Sequence, residues 1–104
     1  MEEMEVEDLA AALAAGPHAI LDVREDWELA LCSIAGAQHI PLGELAGRLA
    51  ELDRGRPLVV ICHHGIRSRA AQEFLLRQGF RHVVNLSGGI DAWARRVDPS
   101  MAVY

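Results

Sequence analysis

Short apolar segments rich in strand-forming residues alternate with segments of helical spacing along this chain. The clearest apolar segment is Leu58-Val59-Val60-Ile61, whose unbroken run of branched side chains is typical of a central parallel strand covered on both faces. Residues 19–23 and 82–86 have the same character, and residues 37–40 form a shorter segment of this kind before Pro41. The alternation predicts an α/β fold of three layers, α/β/α, with a mainly parallel sheet of four or five strands.

Helical segments fill the spaces between the predicted strands. Apolar residues recur at helical spacing over residues 6–15, 42–49 and 68–78, and a short helix is expected within 24–31. Gly88-Gly89 is interpreted as a tight turn that opens a last helix, and not as a nucleotide-binding fingerprint. With 51% hydrophobic residues, 104 residues can bury one core of ordinary size, so residues 1–104 are expected to form a single domain.

Charge and composition exclude several classes of function. The formal net charge is −5 and the ten basic residues are scattered, so neither nucleic acid nor an anionic membrane is an expected partner. All ten are arginine, and the absence of lysine excludes both Schiff-base catalysis and a P-loop lysine. No apolar run approaches the roughly 20 residues of a membrane helix, and the start is acidic. Two cysteines are too few for a disulfide scaffold, so we expect free thiols in a reducing compartment. Together these features predict a soluble, cytoplasmic protein.

Cys62 directly follows the predicted central strand and precedes the predicted helix over 68–78. Ligands of open parallel sheets bind beyond the carboxyl ends of the strands, and the free amides and positive end of a helix there favour a thiolate. Gly65 allows the loop to curl with its amides inward, and Arg67 adds a positive charge at the rim. These residues predict a nucleophilic Cys62 in a cradle for an anion, whereas Cys32 lacks such surroundings and is predicted to be an inert packing residue.

The string Ile61-Cys62-His63-His64-Gly65-Ile66-Arg67-Ser68 resembles the active loop of rhodanese-like domains. Three further stretches agree with this family and occur in its order: Leu21-Asp22-Val23-Arg24-Glu25, Ile34-Ala35-Gly36-Ala37-Gln38-His39-Ile40-Pro41-Leu42 and Asn85-Leu86-Ser87-Gly88-Gly89-Ile90-Asp91-Ala92-Trp93. The resemblance extends from about residue 6 to residue 97 and implies a rhodanese-like fold.

The resemblance implies that Cys62 is the sole covalent catalyst of a sulfurtransferase. Cys62 would take a sulfane sulfur from a small donor such as thiosulfate, become a persulfide, and pass the sulfur to a thiol or protein acceptor without a cofactor. The substrate-binding residues would be those whose amides surround the sulfur: His63, His64, Gly65, Ile66 and Arg67. The Arg67 side chain would also bind or orient an anionic donor, and Ser68 would begin the helix, as its cap.

Other functions compete with this reading. The chain is alternatively a persulfide carrier or binding module for a dedicated partner enzyme, or a regulatory domain without chemistry. The same fold family resembles dual-specificity phosphatases and arsenate reductases, whose Cys and Arg are one residue further apart. The Cys-x4-Arg loop of this sequence, six residues from Cys62 to Arg67, is the size associated with sulfur transfer.

The remaining polar and aromatic residues receive structural interpretations. His63 and His64, with His39 or His82 as distant partners, lack the spacing of metal ligands, so no metal site is predicted. Asp22 and Arg24 are expected to satisfy each other or nearby backbone groups where a strand ends. Core or rim packing is predicted for the two tryptophans, Trp27 and Trp93.

Overall fold

A computed structural model describes residues 1–104 and contains one sheet of five strands. The strands are β1 (Glu3–Met4), β2 (Ala19–Asp22), β3 (Gln38–His39), β4 (Leu58–Ile61) and β5 (Val83–Leu86). Every pairing is parallel and the order is β1-β5-β4-β2-β3, so β4 lies at the centre. The predicted parallel sheet, with the segment at 58–61 as its central strand, is confirmed.

The chain has four α-helices: α1 (Val6–Ala15), α2 (Asp26–Leu31) and α3 (Ile66–Arg77) lie between strands, and α4 (Gly89–Arg96) follows the last strand. The start of α2 is fixed by a capping box, in which the side chains of Glu25 and Glu28 each accept a hydrogen bond from the other residue's backbone amide. None of the helices has the length and apolar character needed to cross a membrane.

The central strand β4 sends alternate side chains to opposite faces of the sheet. Leu58 and Val60 pack on one face in a cluster that includes residues of α3, and Cys62 extends the same series. Val59 and Ile61 pack on the other face in a cluster that includes residues of α1 and α4. Both faces are therefore covered by helices, which confirms the three-layer α/β/α architecture.

The segment at 42–49 differs from its predicted helical form. Two 3-10 helices replace it, Leu42–Gly47 and Leu49–Glu51, and the second extends beyond the predicted end. Gly43 and Gly47 lower the helix propensity of this stretch, which follows Pro41, and the tighter 3-10 turn still carries Leu45 into the core.

The edge strand β1 was not predicted. It consists of Glu3 and Met4, which pair with Asn85 and Leu86 of β5. A strand of two residues is too short to show an alternating pattern of apolar and polar side chains. It forms because the edge of β5 is available for pairing, which the local sequence does not reveal. The other strands and the α-helices begin and end within two residues of their predicted bounds, which is the usual uncertainty of an element's ends.

Candidate active site

Cys62 lies at the carboxyl end of β4, in the four residues that separate this strand from α3. Its side chain is buried, with 1% of the residue exposed, and its Sγ accepts a hydrogen bond of 3.0 Å from the amide of Gly65. Gly65 has φ +102°, a left-handed conformation that favours glycine and turns this amide back toward the sulfur. The predicted position of Cys62 and the predicted inward amide of Gly65 are both present.

Ser68 was expected to begin the helix, but α3 begins two residues earlier, at Ile66, and its N-cap is Gly65. Ser68 is fully buried in the first turn, with its Oγ 3.3 Å from the Sγ of Cys62 and 2.5 Å from the Oδ1 of Asn85. Its single proton serves one of these two acceptors at a time. Ser68 therefore belongs to the surroundings of the sulfur and does not cap the helix.

The amino-terminal end of α4 holds the backbone of the loop. The amide of Ile90 donates to the carbonyl of Cys62 at 2.9 Å, and the amide of Asp91 donates to the carbonyl of His63 at 3.0 Å. Gly89 has φ +60°, and a Cβ at this position would lie 2.5 Å from both carbonyl oxygens. The Gly88-Gly89 turn therefore lets a helix end approach the loop backbone directly, and the amides left free at that end satisfy two loop carbonyls.

Arg67 lies on α3 with its guanidinium turned toward α2. It donates two hydrogen bonds to the carboxylate of Glu28, at 2.6 and 2.8 Å. These hydrogen bonds lower the pKa of Glu28 to about 2, against the raising effect of burial, so the carboxylate stays ionised at neutral pH. Glu28 was not singled out by the sequence, although its spacing from Glu25 matches the capping box that opens α2.

Asp22 and Arg24 form a second, fully buried ion pair with 2.8 Å between Oδ2 and Nη2. Arg24 also donates to the backbone carbonyl of Cys32 at 2.8 Å and to the hydroxyl of Tyr104 at 3.0 Å. Tyr104 in turn donates to Glu28 at 2.7 Å. Asp22 and Arg24 thus satisfy each other, as predicted, and Tyr104 joins their pair to the one formed by Arg67 and Glu28.

Aromatic rings are stacked at the loop. The ring of His63 lies parallel to that of Tyr104, with centroids 3.8 Å apart, and the ring of His64 lies 3.9 Å from His63. Burial lowers the pKa of His63, and the neighbouring His64 lowers it further, so His63 is neutral at pH 7. The Nε2 of His63 is buried without a hydrogen-bond partner.

His63, His64 and Asp91 are the residues that could hold a metal ion, since each offers a ligand atom within 4.8 Å of the others. Asp91 was not considered with the histidines in the sequence, because it is contributed by α4. The two distant histidines lie elsewhere: His39 contacts the carbonyl of Arg24, and His82 contacts Glu2.

The other residues singled out by the sequence lie around the site. Trp93 is in the core, whereas Trp27 is 63% exposed and meets the ring of Tyr104 edge-on, with centroids 6.1 Å apart. Cys32 is half-buried at the end of α2. Ile66 is 81% exposed, and beside it a cavity of about 390 Å³ is lined by residues that include His64 and Arg69.

Comparison with known proteins identifies the family. The model of the rhodanese-like domain matches residues 5–96. A sulfurtransferase of Allochromatium vinosum is 36% identical over 98% of this chain and 96% of its own length, and the putative sulfur carrier protein YrkF of Bacillus subtilis is 40% identical over 76% of this chain.

Several curated relatives are much longer, and the chain spans only 20% to 43% of their length. Among solved structures, the rhodanese-like domain protein of Staphylococcus aureus covers the whole chain with a TM-score of 0.88 and 28% identity. These matches agree with the loop, the sheet order and the resemblance seen in the sequence, and the chain belongs to the rhodanese-like domain family.

Proposed function

We propose that this protein is a sulfurtransferase that carries sulfur as a persulfide on Cys62. The observation that carries the proposal is a buried sulfur at the end of the central strand, to which the Gly65 amide donates directly. A donor of this kind stabilises an anionic sulfur, and the same amide can serve a thiolate or the inner sulfur of a persulfide.

The reaction has two displacement steps. The Cys62 thiolate attacks the outer sulfur of thiosulfate, a sulfur–sulfur bond forms to Cys62, and the sulfur–sulfur bond of thiosulfate breaks with release of sulfite. An acceptor thiolate then attacks the outer sulfur of the Cys62 persulfide, and the Cys62 thiolate leaves. Charge and electrons balance in both steps, so no cofactor or external oxidant is required.

The loop residues 63–67 supply the surroundings of the transferred sulfur in this scheme. In this scheme the backbone amides of the loop, and not its side chains, surround the sulfur. The side chain of Ile66 is exposed to solvent, and that of Arg67 is bound by Glu28. Ser68 provides a hydroxyl on the buried side of the sulfur. Cys62 acts as the covalent catalyst, and the partners are a small sulfur donor and a thiol or protein acceptor in a reducing, cytoplasmic setting.

Delivery to one dedicated partner is the second candidate, in which the domain acts as a persulfide carrier. The name of the Bacillus subtilis relative, a putative sulfur carrier protein, favours it. A phosphatase or arsenate reductase is less well supported, because the guanidinium that would grip a tetrahedral oxyanion already makes two hydrogen bonds to Glu28.

Intact-mass measurement after incubation with thiosulfate tests the proposal. We expect one added sulfur on the wild type and on Cys32→Ser, none on Cys62→Ser, and thiocyanate when cyanide is supplied as acceptor. Absence of both the adduct and thiocyanate from the wild type would refute sulfur transfer. A stable adduct that passes slowly to cyanide but readily to a protein thiol would favour the carrier.

A further inference from the structure

Two arginines of the site, Arg24 and Arg67, are both neutralised by buried or nearly buried carboxylates. Arg24 is paired with Asp22, and Arg67 with Glu28, whose side chain is only 3% exposed. Two positive and two negative charges therefore cancel beside Cys62. The sequence predicts a free positive charge at Arg67, but in the structure Arg67 and Glu28 form an ion pair without net charge.

Glu28 is held firmly in the position that neutralises Arg67. It accepts two hydrogen bonds from Arg67, one from the hydroxyl of Tyr104 at 2.7 Å and one from the amide of Glu25 at 3.0 Å. Two of these partners are fixed independently, since Tyr104 is stacked on His63 and Glu25 is the N-cap of α2. An arriving anion would have to displace this carboxylate to obtain both hydrogen bonds of the guanidinium.

The histidines of the loop do not restore a net positive charge. His63 is neutral at pH 7 for the reasons given above. His64 is exposed, and its Nδ1 lies 3.9 Å from the carboxylate of Asp91. Within residues 63–67, the side chains therefore offer no uncompensated cation to a donor with two negative charges.

We propose that Glu28 is a specificity-determining residue, which neutralises Arg67 and thereby favours sulfur donors with one negative charge over dianions such as thiosulfate. This inference rests on the proposed sulfur transfer and names the class of donor. Glu28 acts through Arg67 and through the local potential, without contact with the reacting sulfur.

Two donors that transfer the same sulfur differ in charge and can be compared directly. Thiosulfate is a dianion and releases sulfite, whereas an organic thiosulfonate, R-SO2-S⁻, is a monoanion and releases a sulfinate. In both reactions the Cys62 thiolate attacks the outer sulfur and becomes a persulfide, with the electron pair of the broken bond leaving on the sulfur oxyanion. The ratio of their kcat/KM values therefore reports how the site discriminates donor charge.

The decisive variants change the charge of the pair in opposite directions. Glu28→Gln keeps the shape of the side chain and unmasks Arg67, so we expect kcat/KM for thiosulfate to rise roughly threefold to tenfold relative to that for the thiosulfonate. Most of the rise should lie in a lower KM. Arg67→Gln leaves the carboxylate unpaired and should shift the ratio the other way, whereas the double variant should return it to within about twofold of the wild type.

A matched control is available outside the loop, in the 3-10 helix Leu49–Glu51. Glu51 forms an exposed ion pair with Arg48, so Glu51→Gln makes the same change in net charge without unmasking a cation at the site. We expect the donor ratio of this variant to equal that of the wild type within error. If Glu51→Gln shifted the ratio as much as Glu28→Gln does, a general effect of net charge would replace the proposed local one.

A second readout does not depend on sulfur transfer. Iodoacetate and iodoacetamide alkylate the same thiolate but differ by one negative charge, and peptide mapping separates Cys62 from Cys32. Glu28→Gln should raise the iodoacetate-to-iodoacetamide rate ratio at Cys62 roughly threefold to tenfold, and Arg67→Gln should lower it.

The outcomes distinguish the two proposals. If no donor forms a persulfide on the wild type while the alkylation ratio shifts as expected, the proposed function fails and the electrostatic role of Glu28 stands. If persulfides form but neither ratio changes in Glu28→Gln or in Arg67→Gln, the role assigned to Glu28 is overturned. If Glu28→Gln fails to fold, Arg67→Gln alone still tests the role of the pair. We expect it to lower both the donor ratio and the alkylation ratio, and no change in either ratio would overturn the proposal.

Discussion

Replacement of Gly89 by alanine tests whether the end of α4 holds the loop. An added Cβ would lie 2.5 Å from the carbonyl oxygens of Cys62 and His63, far inside normal contact. Because both oxygens belong to backbone, no flexible side chain can move aside, and either the loop or the helix end must shift. The shift lengthens the hydrogen bonds from Ile90 and Asp91, which now measure 2.9 and 3.0 Å.

The expected cost follows from these contacts. A non-glycine residue at φ +60° costs about 1 to 2 kcal/mol, and each weakened backbone hydrogen bond costs about 1 kcal/mol. The sum is about 3 to 4 kcal/mol in the free energy of unfolding, which corresponds to a fall in Tm on the order of 15 °C for a chain of this size. Displacement of the loop backbone by about an ångström should also slow persulfide formation by about a hundredfold.

Thermal unfolding and single-turnover mass spectrometry with thiosulfate measure both effects. Gly47→Ala is the matched control, since a Cβ there has no neighbour within 4 Å, and we expect its stability to lie within about 0.5 kcal/mol of the wild type. A Gly89→Ala protein as stable and as reactive as Gly47→Ala would refute the conclusion that the close approach of α4 shapes the site.

Three further predictions concern the sulfur and the buried charges. Ser68→Ala removes the hydroxyl 3.3 Å from the sulfur and should slow persulfide formation and iodoacetamide alkylation by about tenfold. Asp22→Asn leaves Arg24 buried without a counter-charge and should lower the free energy of unfolding by about 3 to 5 kcal/mol in urea denaturation. Because the folded pKa of Glu28 is about 2 and its ordinary value is 4.5, its contribution to stability should be complete above about pH 4.5 and decline toward pH 2, a slope that Glu28→Gln should reduce.

Each of these predictions has a matched control. Ser33→Ala changes an exposed serine and should leave the alkylation rate unchanged, so equal slowing in both serine variants would contradict a role for Ser68. Glu44→Gln breaks an exposed ion pair and should cost at most about 1 kcal/mol. If Asp22→Asn cost no more than that, the buried pair would not be a major source of stability. Unchanged acid sensitivity in Glu28→Gln would assign the low-pH loss of stability to other carboxylates.

The features that could be predicted from the sequence are local ones. The four apolar residues of β4, the cysteine after them and the glycine three residues later lie next to one another in the chain, and their periodicity and spacing were sufficient to predict the strand and the loop. The same holds for Asp22 and Arg24, which are two residues apart and pair with each other.

The features that sequence reasoning missed join distant parts of the chain. Arg67 and Glu28 are separated by 39 positions, and Glu28 and Tyr104 by 76, so no local pattern indicates that the arginine is already paired. Ser68 was predicted to begin the helix, which in fact starts two residues earlier, and its contact with Asn85 on another strand could not be seen in the local sequence. Tertiary contacts of this kind are set by how the layers pack, which spacing alone does not reveal.

The anchoring of the loop by α4 also has a consequence for the order in which the site is built. The sulfur lies at position 62, but the amides that hold the carbonyls of Cys62 and His63 belong to residues 90 and 91. During synthesis, a nascent chain that has emerged only as far as α3 carries the thiol without this support. The environment of the sulfur is therefore complete only in a chain whose last helix has been made and has docked on the loop.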